Sequence, residues 1–232
     1  MTRFVGIVSG KGGVGRTTIA INLSVALHKF NREVILVDAH LNQPHVALFL
    51  GSHNVDKSLH HAIKNKINIK DLAYKHHSGL KLIPGSFIED HQKEIQTHKF
   101  KDVLLDLIGT AEIVIVDMGS EGDIYDNIFK SMDEVIVVVT PDLPSVVEGV
   151  KTIKKAKDGG IKITGIIINR IMEDEYDLHT QNIKTMMEYK ILGDIHESKY
   201  IRSSLGKDTV ITLYSDSRAS LEFKEIAKNL IA

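Results

Sequence analysis

The sequence predicts an α/β fold with a mainly parallel sheet covered by helices on both faces, and three observations predict it. Short β-branched runs alternate with longer helical stretches along all 232 residues, the pattern of strand–helix units that build a parallel sheet. Several runs are apolar at every position, as expected of strands covered on both sides. No Pro- or Ser-rich linker divides the chain, and its length suits one α/β domain, residues 1–232.

In chain order, strands are predicted over residues 4–8, 34–37, 80–83, 113–116, 135–140, 163–168 and 191–195. Helices are predicted over 17–30, 99–108, 143–157, 177–188 and 218–231. The last of these carries Phe223, Ile226, Ala227, Leu230 and Ile231 as one apolar stripe, suited to docking on the sheet. Residues 53–98 are the least regular segment, rich in His and Lys, and are expected to be a surface excursion.

Composition narrows the function. Hydrophobic residues are 43% and charged residues 25%, as in ordinary globular proteins. Lys plus Arg is 29 against 30 for Asp plus Glu, so the net charge of −1 gives no global attraction to nucleic acid or anionic membranes. There is no Cys, which excludes disulfides, thiolate zinc sites, iron–sulfur ligation and Cys nucleophiles. The first apolar run is too short for a signal-peptide core, and no stretch approaches the roughly 18 apolar residues of a membrane span. A soluble cytoplasmic protein is expected.

The chemistry concentrates in Gly10-Lys11-Gly12-Gly13-Val14-Gly15-Arg16-Thr17-Thr18, which follows the first strand and opens a helix. Glycines there let backbone N–H groups close around phosphate oxygens, and the helix N-terminus adds partial positive charge. Thr17 is placed to offer its hydroxyl to Mg²⁺. A plain glycine turn is the competing reading. The strict phosphate-loop pattern G-x-x-x-x-G-K-[ST] fails at Arg16, which keeps the positive charge but presents a bulkier planar fork in place of an ammonium.

This loop resembles the deviant Walker A motif of the MinD/ParA family of P-loop ATPases, K-G-G-x-G-K-T. The likeness runs along nearly the whole chain. Val34-Ile35-Leu36-Val37-Asp38 resembles the family's second strand, and Ile113-Val114-Ile115-Val116-Asp117 its Walker B strand. The I-V-V-V-T-P run ending at Pro141, the Ile166-Ile167-Ile168-Asn169-Arg170 strand and the segment from Val210 to Phe223 resemble later family blocks. MinD is the closer branch, by length and by the closing helix. The resemblance implies a single-domain P-loop NTPase fold that binds ATP or ADP with Mg²⁺ and closes into a face-to-face dimer around two nucleotides.

Carried over residue by residue, the resemblance makes Lys11 the lysine that reaches the partner's phosphates. Gly12, Gly13, Val14, Gly15, Arg16, Thr17 and Thr18 become the phosphate cradle, and Thr17, Asp38 and Asp117 the Mg²⁺ set. Asn169, followed by Arg170, is placed at the adenine edge. Each has a plainer reading: Lys11 as a solvated loop lysine, Asp117 and Asn169 as strand-end turn residues.

Three departures fall on the γ-phosphate side. Arg16 replaces the P-loop lysine. His40 stands where the family's D-x-D places a water-orienting carboxylate, so Lys11, Arg16 and His40 are the catalytic candidates. His40 is either a neutral proton acceptor near pH 7 or a non-catalytic surface histidine. After Asp117 the chain reads Met118-Gly119-Ser120-Glu121-Gly122 in place of D-x-P-A-G, setting Glu121 near the γ-phosphate position. Together they predict nucleotide binding with slow or absent hydrolysis.

Weaker signals are read as surface features. His40, His45, His53, His60, His61, His76 and His77 lack a companion acid at metal-ligand spacing, and a solvated His-rich surface is favoured over a zinc site. Lys151, Lys154 and Lys155 share a helix face that could meet DNA, although a solvated face is the commoner explanation. The closing helix is not followed by the basic amphipathic segment of membrane-binding MinD proteins, so no autonomous membrane anchor is expected.

The leading functional reading is therefore an ATP-binding switch with weak ATPase activity. Its nucleotide-dependent dimerisation would control an unidentified regulatory partner in cell division or intracellular positioning. The alternative is a non-hydrolysing pseudo-ATPase that regulates or heterodimerises with an active relative. A redox or metal-insertion relative is disfavoured, because such members use cysteines at the dimer interface.

Overall fold

The computed structural model describes residues 1–51, 56–64, 66–88, 95–119, 123–204, 210–214 and 216–232. Its elements are β1 (Arg3–Val8), α1 (Arg16–Lys29), β2 (Val34–Ala39), α2 (Val46–Phe49), α3 (Leu59–Ile63), β3 (Tyr74–Lys75), β4 (Lys81–Ile83), α4 (Phe100–Leu105), β5 (Ile113–Met118) and α5 (Asp123–Phe129). There follow β6 (Glu134–Val139), α6 (Leu143–Asp158), β7 (Lys162–Ile171), α7 (Thr180–Met187), β8 (Ile191–His196), α8 (Lys199–Ser204), α9 (Ile211–Tyr214) and α10 (Arg218–Ile231).

Consecutive β-branched residues favour extended backbone. Here they make a sheet whose central strands meet water on neither face. Every residue of β2, β5 and β6 is buried. Along one strand, neighbours feed opposite cores: Ile35, Val37 and Ala39 pack in one apolar cluster, Val34 and Leu36 in the other. The eight strands run in the order β3-β4-β2-β5-β1-β6-β7-β8. All pairings are parallel except that of β3 with β4.

Helices α1 and α10 cover one face, where Phe223, Ile226, Ala227 and Leu230 dock as their stripe predicts. The other face is covered by α3 to α7. Helix α1 packs on β1, β2 and β5 and lies beside α9 and α10, and residues Ile19–Leu27 are all buried. Its two interior polar residues turn inward on their own helix: Asn22 Nδ2 donates to the Thr18 carbonyl at 2.9 Å and Ser24 Oγ to the Ala20 carbonyl at 2.6 Å.

Residues 53–98 correct the expected surface excursion, as far as they are described. Leu59, Ala62, Ile63, Ile69, Leu72 and Leu80 are core residues, and β3 and β4 extend the sheet. The two-residue β3 is too short to leave an alternation in sequence. The solvated His-rich surface is likewise corrected, since His60 and His76 are buried. Two helices are shorter than predicted. The 99–108 helix is Phe100–Leu105 after a 3-10 turn at Thr97–Lys99. The 177–188 helix begins at Thr180, because the Asp177 carboxylate accepts the Met172 and Glu173 N–H groups at 2.7 and 2.8 Å and stays in the loop.

Candidate functional site

The loop after β1 enters α1 through Gly15, whose φ of 96° is open to glycine at little cost and strained for other residues. No side chain caps α1, and its first turn holds no acidic residue. Nothing lies within 4 Å of where a Cβ would stand at Gly12 or Gly13. The backbone N–H groups of the first turn therefore face an open, positively biased cradle.

Two strand-end carboxylates stand beside it. Asp38 and Asp117 are register partners across β2 and β5, and both are buried. Asp38 accepts the Val46 and His40 backbone N–H groups at 3.0 and 3.3 Å. Neither Asp117 oxygen has a hydrogen-bond partner of ordinary geometry, although Asp117 is only 1% exposed. Burial, then Asp117, pushes the Asp38 carboxyl well above its usual range. Burial pushes Asp117 up to about 6, against the Thr17 hydroxyl and the Arg16 guanidinium, which favour its charged form. The pair is short of positive charge, and its hard oxygens suit a divalent cation such as Mg²⁺.

Arg16 is buried, and its guanidinium reaches back to the Ser9 hydroxyl and carbonyl at the start of the loop. Desolvation lowers its pKa while Asp117 and Tyr125 oppose that shift. Lys11 lies on the outer side of the loop and bridges to Asp142 at 2.9 Å. Asp142 also caps α6, accepting from the Ser145 N–H at 2.9 Å. Both residues border a cleft of about 600 Å³ that Gly12, Gly13, Pro141 and Tyr176 help to line.

His40 turns toward Gly119, just past β5. A Cβ at Gly119 would lie 3.0 Å from its ring, and the His45 ring centroid is 5.7 Å away. Burial, then the charges of Arg16 and His45, lowers its pKa to about 4, so the imidazole is neutral near pH 7. The other switch residues singled out in sequence, Ser120, Glu121 and Gly122, lie outside the described residues.

Asn169 ends the buried part of β7, and its Nδ2 donates to the Val14 carbonyl at 2.7 Å. This bond ties β7 to the glycine loop and leaves Oδ1 and the second amide hydrogen for other partners. A cleft of about 280 Å³ opens beside it, lined by Thr18, Asn169, Arg170, His196, Ile201 and Arg202 among others. Arg170 takes a left-handed φ of 63° there. Sequence reading found Asn169 and Arg170 but missed the opposite wall from β8 and α8, which has no motif. Asp142 was also missed, although Asp142-Leu143-Pro144-Ser145 has the form of a helix N-cap.

The basic helix face is largely occupied. Lys151 pairs with Glu148 at 2.6 Å, and Lys155 pairs with Asp126 while lying over the Tyr125 ring. Among the described residues no three His, Asp or Glu side chains form a metal cluster of their own. No helix among them is long and apolar enough to cross a membrane.

Comparison with known proteins agrees with this geometry. Residues 5–210 match the model of the CobQ/CobB/MinD/ParA nucleotide binding domain. An uncharacterized ATP-binding protein of Methanocaldococcus jannaschii is 32% identical over 232 residues, 98% of this chain and 87% of that protein. The septum site-determining protein MinD of Thermotoga maritima is 28% identical over 241 residues, 99% of this chain and 88% of its own. The structure of MinD from Pyrococcus horikoshii complexed with Mg-ADP superposes with a TM-score of 0.94 at 28% identity, over 99% of this chain and 96% of that one. With its glycine loop, strand-end aspartates and sheet order, this chain belongs to the CobQ/CobB/MinD/ParA family of nucleotide-binding domains.

Proposed function

We propose that this protein is a MinD-like switch that binds ATP or ADP with Mg²⁺ at residues 12–18, with the base beside Asn169 and Arg170. Its nucleotide state controls dimerisation, and through it a partner in cell division or intracellular positioning. The observation that carries this reading is the buried Asp117 carboxylate, which lacks a hydrogen bond of ordinary geometry, next to an uncapped helix N-terminus. An unpaired buried charge is costly unless a ligand repays it.

Thr17, Asp38 and Asp117 would hold Mg²⁺, which supplies charge neutralisation to the phosphates when bound. The chain's own groups do the rest. Backbone N–H groups of residues 12–18 bind phosphate oxygens. Arg16 leaves Ser9 to offer its fork to the terminal phosphate. Lys11, held by Asp142 in this state, is free to reach a partner's phosphates once that exposed bridge opens. His40, neutral and turned inward, stands in for the carboxylate that orients water.

Turnover is expected to be slow, because Arg16 and His40 alter groups that act mainly on the transition state. One lost positioned donor costs about 10²–10³ in rate, and effects of groups acting as a unit do not simply multiply. Calorimetry with millimolar Mg-ATP is expected to give a binding isotherm, and no heat from folded protein overturns the reading. Single-turnover measurements are expected to give a rate well below that of relatives with the full motif. Arg16→Lys combined with His40→Asp is expected to raise that rate.

A further inference from the structure

We infer that His60 is a positioning residue for this site: it sets the loop that carries His40 by holding the Leu41 carbonyl. The inference rests on the role proposed above for His40.

His60 sits on α3 with 0% exposure, in the segment whose histidines the composition assigns to the surface. Its neighbour His61 serves its own helix, accepting the Ser58 N–H on Nδ1 at 3.2 Å. His60 instead points through the core to two loops. Its Nδ1 receives the Ser86 backbone N–H at 3.1 Å, and its Nε2 lies 2.9 Å from the Leu41 carbonyl oxygen. A backbone N–H only donates and a carbonyl only accepts. The partners therefore fix one neutral tautomer, with the hydrogen on Nε2 and the lone pair on Nδ1.

What this bridge joins gives it a role. The loop after β2 leaves Asp38, carries His40 and Leu41, and returns at Val46. The Asp38 carboxylate holds its two ends through the His40 and Val46 N–H groups. At Leu41 it is held from behind by His60. The far anchor is the loop after β4, itself docked on both sides. The Leu59 N–H donates to the Pro84 carbonyl at 2.8 Å, and Gly85 packs so closely on Pro44 that a Cβ there would overlap it. His40 directly precedes the carbonyl that His60 grips. A shift of Leu41 therefore moves the imidazole against Gly119, and misplacement of a reacting group by about 1 Å costs about 10²-fold in rate.

Two substitutions separate the halves of the bridge. His60→Asn places an acceptor where Nδ1 meets Ser86 and gives up Leu41. His60→Gln places a donor where Nε2 meets Leu41 and gives up Ser86. Each gives up one of the two described hydrogen bonds, and denaturant midpoints are expected to fall by similar amounts. His60→Asn is expected to shift the His40 ring resonances in NMR spectra of the nucleotide-free protein. It should also lower single-turnover ATP hydrolysis about tenfold or more, with Mg-ATP affinity within about twofold. His60→Gln is expected to retain most of the rate and the His40 resonances.

Equal effects of the two variants, or an unmoved His40 resonance in His60→Asn, overturn the inference. In the wild-type protein, nitrogen shifts are expected to show His60 protonated on Nε2, and the opposite tautomer also overturns it. Absence of any hydrolysis counts against the proposed activity alone, because the His40 resonance still reports on His60.

Discussion

At the amino ends of the strands, Glu134 is buried and saturated. It accepts from Arg3 Nε at 2.5 Å and from the Thr164 hydroxyl, and lies 3.4 Å from Lys162 Nζ. At the carboxyl ends, Asp117 is as deeply buried and has no hydrogen-bond partner of ordinary geometry, only the nearby Thr17 hydroxyl. Burial alone would raise the pKa of both. At Glu134 the bonds from Arg3 and Thr164 outweigh it and hold the carboxyl below its usual range, whereas at Asp117 burial wins and the pKa rises to about 6. Within the carboxyl end the two helix N-termini also differ, α6 being capped by Asp142 and α1 left open at Gly15. One end of the sheet spends its charges on stability. The other leaves charge and donors unsatisfied, which is how a fold keeps binding capacity in reserve.

The largest effect on stability is expected at the saturated end. Glu134→Gln should lose about 2 kcal/mol at pH 7 in denaturant titrations, the worth of hydrogen bonds to a charged group. Because the folded pKa is depressed, this contribution is present above the unfolded pKa and disappears as pH falls through the folded one. The gap between Glu134→Gln and wild type should therefore close in acid. A gap that does not change with pH would break the contrast.

A smaller effect of opposite sign is expected at the reserved end. Asp117→Asn should raise the stability of the nucleotide-free protein by about 1 kcal/mol, since a neutral amide costs less to bury than an unpaired carboxylate. It should also abolish the rise in melting temperature that Mg²⁺ with ATP gives the wild type. Destabilisation by Asp117→Asn would mean that the carboxylate is already satisfied.

The smallest change in stability is expected at Lys11→Ala. The bridge to Asp142 is between side chains 43% and 39% exposed, and such pairs are worth under about 1 kcal/mol. The same substitution should eliminate ATP-dependent dimerisation in light scattering. Retained dimerisation would reassign Lys11 to the surface.

Periodicity was a sound guide where local chemistry and burial agree. The apolar runs at β2, β5 and β6 and the stripe of α10 lie within a residue or two of their predicted places. The glycine loop was legible because strand, glycines and helix start are contiguous in the chain. Asp177 was misread because an acidic residue before a helical pattern looks like part of the helix, while its carboxylate in fact closes the preceding turn. His60 and His61 are adjacent and chemically identical in sequence. One is a core bridge and the other a local cap, and the difference is only which way α3 faces.

By itself the sequence determined the strand–helix alternation, the helix-opening glycine loop, the strand-end aspartates and the absence of thiol chemistry. Each depends on interactions within a few residues or on residue type alone. The tertiary structure decided the rest. It set Asp38 beside Asp117 with no well-formed hydrogen bond to the second, turned His40 inward and neutral, and tied Asn169 to the loop it borders. It also buried His60 between two loops distant in sequence. Those outcomes depend on strand order and on desolvation, which arise only when segments far apart in the chain pack together and exclude water.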